Sequence, residues 1–178
     1  REFLPQLYAD KELDLERLRS GARWFALGFI KKAVIADNVS PAVDMLFANP
    51  AGQFLHNSSG AWLAALGFSA QLYADFSGYS DMAWGSAIWL GFDLPENFRM
   101  PYMARSITDH WRRWHMSLAR WIREYVYISM GGNRVSFVRH KVNLLFSFVI
   151  SGLWHGANWT YVVWGTAQGI ILVIENTL

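Results

Sequence analysis

Two histidines stand where chemistry could be done. His115 lies within Trp111-Arg112-Arg113-Trp114-His115-Met116-Ser117, and His155 within Ser151-Gly152-Leu153-Trp154-His155-Gly156-Ala157. An imidazole among apolar neighbours stays neutral, because burial disfavours its charged form. A neutral imidazole can take up a proton near pH 7, which is what a general base must do. Gly152, Gly156 and Ala157 would let another helix or a substrate come close to His155. The plainer alternative for each is a core histidine with its hydrogen bonds satisfied. A second polar cluster, Asp75-Phe76-Ser77-Gly78-Tyr79-Ser80-Asp81, sits between apolar stretches. Carboxylates there are costly in lipid. They read either as a surface turn between two helices or as a polar kink facing an interior cavity.

Other chemistries are excluded by what is missing. There is no Cys, so disulfides, thiolate metal sites and acyl-cysteine intermediates are ruled out. No GxGxxG, Walker A, HExxH or GxSxG pattern occurs. His110 and His115 are five apart, whereas a helical metal pair uses a spacing of three or four, and no metal site is read.

The elements that must hold these residues read as helices in or on a membrane. Of 178 residues, 53% are hydrophobic and 17% charged, with ten Trp and seven Tyr. Soluble domains carry about 25% charged residues. Trp and Tyr suit the headgroup level of a bilayer. The mean hydropathy of +0.11 is low for helices facing only lipid. It fits helices lining a polar interior. Membrane helices are expected over about 22–48, 61–92, 142–154 and 159–177, after a polar lead-in at 1–20, all in a single partial domain. Pro41, Pro50 and Gly52 mark a loop that continues through His56-Asn57-Ser58-Ser59-Gly60. Residues 93–103 form another.

Basic residues are segregated. None occurs between Lys32 and Arg99, and nine fall from Arg99 to Lys141, opposed only by Asp109 and Glu124. The positive-inside rule puts residues 99–141 on the cytoplasmic side. Membrane-like flanks argue against nucleic acid as their partner. Over 105–128, Trp111, Trp114, His115, Leu118, Trp121, Ile122 and Tyr125 follow helical spacing on one stripe, with Arg105, Arg112, Arg113, Arg120 and Arg123 opposite. This predicts one amphipathic helix lying along a membrane surface or capping a bundle.

The segments FLPQL (3–7), GFIKKAVIADN (28–38), LYADFSGYSDMA (72–83), LGFDLPENFRMPY (90–102), SITDHWRRWHMSLARWIREYVYISMGGNR (106–134) and GLWHGANWTYVVWG (152–165) are co-linear over nearly the whole chain. In them the chain resembles the membrane-bound O-acyltransferase family, in its alginate O-acetyltransferase-like bacterial branch. The resemblance implies an all-α, polytopic core and a chain that is the central piece of a longer protein. It implies transfer of an acyl group, usually acetyl, from a cytoplasmic donor to hydroxyls of an exported polysaccharide. The donor would be acetyl-CoA or another acyl thioester, with no bound cofactor. The expected setting is the bacterial inner membrane, multi-pass, among lipid and acetylation partner proteins of the membrane or periplasm. The family's catalytic histidine matches His155 and its second motif histidine His115. Asp75, Tyr79, Asp81, Glu96, Asn97, Arg112, Arg113, Trp154 and Asn158 are expected to support the site. Where family members often carry His before Gly in the last segment, this chain has Gln168-Gly169. A transporter or channel, an export-complex component, and a haem protein ligated by the two histidines remain alternatives on the residues alone.

Overall fold

The computed structural model describes residues 3–11, 14–48 and 57–177. Every regular element among them is helical. The chain divides into two compact units, Arg1–Pro95 and Glu96–Leu178.

In the first unit a one-turn helix α1 (Leu4–Leu7) precedes α2 (Leu15–Phe29), which Asp14 caps by accepting the Arg17 N–H at 2.7 Å. A π-helical stretch, Ile30–Ala36, leads straight into α3 (Asp37–Ala48). Pro41 therefore does not begin a loop. It stands inside α3, and the residue four before it, whose carbonyl a helical proline crowds, is Asp37 at the end of the π-helical stretch, where the ladder already changes pitch. Pro50, Gly52 and His56 lie outside the described residues. The expected loop has ended by Asn57, which caps α4 (Ser58–Trp89) through the Gly60 N–H at 2.7 Å.

α4 runs for 32 residues without a break, so the turn or kink expected at 75–81 is absent. The reason lies across the unit. Lys31 Nζ meets Asp81 at 2.5 Å, and Lys32 Nζ meets Asp75 at 2.8 Å and Asp37 at 2.7 Å. With their charges compensated, the carboxylates need not bend the backbone toward water. α2 can deliver these lysines because its glycines let it lie against α4. A Cβ on Gly28 would strike the Gly78 carbonyl oxygen.

In the second unit an irregular strand of chain leads through a short 3₁₀ turn, Pro101–Met103, to α5 (Ile107–Trp111). Then come α6 (Met116–Ile122), a π-helical stretch Arg123–Tyr127, α7 (Phe137–His155) and α8 (Trp159–Glu175). The single amphipathic helix expected over 105–128 is thus broken. His115 sits in the left-handed region, φ 45°, between α5 and α6. Tertiary hydrogen bonds win over helical periodicity there: Arg99 N–H donates to the Arg113 carbonyl and Met116 N–H to the Asn97 carbonyl, each at 2.9 Å.

α7 and α8 pack closely and run antiparallel. A Cβ on Gly152 would meet the Tyr161 carbonyl oxygen, so the two backbones touch there. At the other end of the pair, Lys141 donates to the Asn176 carbonyl at 2.7 Å. The Glu175 carboxylate, near the end of α8, accepts the free N–H groups of Ile107 (3.0 Å) and Thr108 (2.8 Å) and so caps α5 from outside. Among the described residues no helix is long and apolar enough to cross a membrane.

Candidate active site

The second unit holds a cavity of about 310 Å³. Its floor is one face of α7: His140, Leu144, Ser147, Phe148, Ser151 and His155. Steps of three and four residues, with Ser147 and Phe148 side by side, put these side chains in one row. At 1.5 Å per residue the row is about 22 Å long. The chain from Thr108 to His115 borders it, and α6 with the following π-helical stretch returns along it to Tyr127, whose ring lies 6.2 Å from that of His140. Both singled-out histidines line this one cavity.

The surroundings of the histidines are aromatic. Trp154 stands edge-on to both, its ring 5.6 Å from His115 and 5.1 Å from His155. Trp164 is 5.2 Å from His155 and Trp111 is 5.8 Å from Trp164. Tyr161 stacks on His155 at 6.0 Å and Phe98 on His115 at 6.5 Å. His115 is half-buried, and its pKa is lowered to about 4, first by desolvation and then by the charge of nearby His155. It is neutral at pH 7. His155, expected in buried surroundings, is instead exposed. It closes α7 at the junction before Gly156, whose extended backbone ends the helix and leaves the ring open on one side.

The Nδ1 of His115 lies 3.2 Å from Asn97 Oδ1. The same oxygen accepts the Ser117 N–H at 3.1 Å and the Ser117 hydroxyl at 2.9 Å. Of the other expected site residues, Arg112 lines the cavity. Arg113 is held by Asp109 at 2.8 Å, which keeps the Asp109 carboxyl below its usual range. Glu96 accepts two hydrogen bonds from Arg99. Asn158 uses its side chain to cap α8, accepting the Thr160 N–H at 3.0 Å. Asp75 and Asp81 are engaged by lysines within the first unit, where Tyr79 is exposed. The sequence reading missed the row from His140 through Ser147 to Ser151. Its signal was available: polar residues at i, i+7 and i+11 of an otherwise apolar helix that ends in His155.

An open-sided apolar cavity with two imidazoles at one end and Arg112, Arg123 and His140 also on its walls can bind an anionic molecule with a long apolar arm. It can also take a proton from a hydroxyl. Among the described residues no group of three His, Asp or Glu side chains is placed to hold a metal ion.

Residues 2–178 match the family model described as MBOAT, membrane-bound O-acyltransferase family. The chain is 48% identical over 166 residues to the probable alginate O-acetylase AlgI of Azotobacter vinelandii, covering 92% of this chain and 32% of that protein. It is 43% identical over 179 residues to the peptidoglycan O-acetyltransferase of Helicobacter pylori, covering 98% of this chain and 33% of that protein. To the teichoic acid D-alanyltransferase of Bacillus subtilis it is 29% identical, covering 93% of this chain and 43% of that protein. The chain thus spans about a third of the length of the first two of these relatives.

Proposed function

This chain belongs to the membrane-bound O-acyltransferase family, and we propose from that premise that it forms the catalytic centre of an enzyme that acetylates hydroxyls of an exported polysaccharide. The observation that carries the reading is that His115 and His155 line one cavity, with Trp154 against both. His155, the accessible imidazole, takes the proton of the acceptor hydroxyl. The hydroxyl oxygen attacks the thioester carbonyl carbon, the C–S bond breaks, and the departing sulfur receives the proton from the His155 imidazolium. The products are an O-acetyl ester and a free thiol, and no cysteine of this chain takes part. His115, held neutral, orients the acceptor by a hydrogen bond.

Acetyl-CoA is the proposed donor. Arg112, Arg123 and His140 on the cavity wall would draw a phosphate-bearing molecule. The row of about 22 Å along α7 suits a long pantetheine-like arm ending at the histidines. The names of the relatives support a cell-wall or exocellular polymer as acceptor, alginate first. The proposed setting is the bacterial inner membrane, with several spans, residues 99–141 facing the cytoplasm, and further acetylation proteins as partners.

The test uses the full-length protein in lipid vesicles with acetyl-CoA labelled in the acetyl group and alginate or peptidoglycan strands as acceptors. Label should pass to the polymer as free CoA appears. His155→Ala should lower that rate about 10²- to 10⁴-fold, the usual worth of a general base. A His155→Ala protein acetylating at the wild-type rate would sink the assignment. A protein that moves solute and never consumes acyl donor would be a transporter.

A further inference from the structure

We propose that Asn97 is a positioning residue that locks His115 in the Nδ1–H tautomer, leaving Nε2 as the lone-pair nitrogen of the ring. The inference rests on the acyl-transfer reading above for its role, but the tautomer itself follows from hydrogen-bond geometry. A backbone N–H can only donate, so the Asn97 atom facing the Ser117 N–H at 3.1 Å is the amide oxygen. The Ser117 hydroxyl lies 2.9 Å from that oxygen, and its single proton belongs there. It lies farther, 3.4 Å, from His115 Nδ1. Nδ1 therefore faces an acceptor at 3.2 Å and must carry a hydrogen itself. Three donors share one oxygen, and in a neutral imidazole Nε2 is then the unprotonated nitrogen.

The backbone makes the lock rigid. Asn97 and Arg99 clasp both flanks of His115 through the hydrogen bonds to Met116 and Arg113. Those bonds hold the left-handed φ of 45° that directs Nδ1 at Asn97. The ionisable groups that share the cavity with His115 are His155, His140, Tyr127, Arg112 and Arg123, and none of them is a carboxylate. Within the acyl-transfer reading, His115 Nε2 accepts a hydrogen bond from a second hydroxyl of the acceptor, while the reacting hydroxyl gives its proton to His155.

Nitrogen-15 NMR of histidine-labelled full-length protein tests this directly, with the His115 signals assigned by their loss in His115→Gln. The expected result above pH 6.5 is a protonated Nδ1 and a pyridine-like Nε2. The opposite tautomer, or a mixture, overturns the proposal whether or not the protein transfers acetyl groups, so the two readings fail separately. Asn97→Asp keeps an acceptor and adds a charge that favours the imidazolium. It should preserve the tautomer and move the acid limb of the pH–rate profile upward by about a unit. Asn97→Leu should release the tautomer and lower kcat about 10- to 100-fold, the usual cost of losing an outer-shell partner. KM should stay within a few-fold. Unchanged kcat and pH profile in Asn97→Leu would refute the positioning role, and a merely structural role would not move the acid limb in Asn97→Asp.

Discussion

The two units set ionisable groups among apolar helices by the same packing device and reach opposite results. In each, a pair of helices approaches until backbones touch at a glycine, Gly28 against Gly78 in the first unit and Gly152 against Tyr161 in the second. Beside the first contact, each ionised carboxylate meets a lysine: Asp81 meets Lys31, and Asp75 meets Lys32. Beside the second, His115 and His155 meet aromatic rings and an amide. Pairing settles a charge and leaves it nothing to do. Aromatic neighbours compensate no charge: His115 is held neutral, and His155 stays accessible to a hydroxyl. A titratable residue among apolar helices is thus a structural or a catalytic candidate according to what compensates it.

The contrast can be broken most forcefully at Lys31. Asp81 is buried, and Lys31→Met leaves its carboxylate unpaired. Loss of about 3–5 kcal/mol is expected, the usual effect of removing one partner of a buried pair. The double variant Lys31→Met/Asp81→Leu should recover most of it. Thermal unfolding of the full-length protein checks both. If Lys31→Met alone is as stable as the wild type, pairing is not what settles Asp81.

A smaller effect sharpens the other half. His115 binds a proton below about 6.5 in the unfolded chain and only below about 4 when folded. Between these values the unfolded state holds more protons, so stability falls as pH falls through the window and is regained above it. His115→Gln should flatten that slope by on the order of 1 kcal/mol, after discounting for the partial exposure of the ring. Unfolding midpoints at pH 7 and pH 4.5 give the comparison. An identical slope in the variant would mean that His115 is not desolvated. Asp109→Asn, at a partly exposed i,i+4 pair with Arg113, should move the unfolding temperature little, and a clear drop would show that this pair anchors α5.

Sequence alone made the helical class legible, through apolar runs and helical spacing, and it singled out His115 and His155. What it could not show were contacts far apart in the chain. The spacing of Trp111, Trp114, His115 and Leu118 fits a helix, and nothing local reveals that the Arg99 N–H and the Asn97 carbonyl pull residues 113–116 out of one. Asp75 and Asp81 looked like a bend because Lys31 and Lys32, more than forty residues earlier, were not known to reach them. Asn97 stood out from its motif, while its bond to a ring 18 residues on depended on that same turn. His140, Ser147 and Ser151 were readable in principle, since their order along α7 is purely local.

The φ of 45° at His115 suits glycine better than histidine. His115→Gly would therefore remove the imidazole without straining the turn, leaving a ring-sized space on the cavity wall. Free imidazole added to that variant could enter the space and restore activity from solution. The conformation that is awkward for a side chain thus makes this histidine suited to chemical rescue.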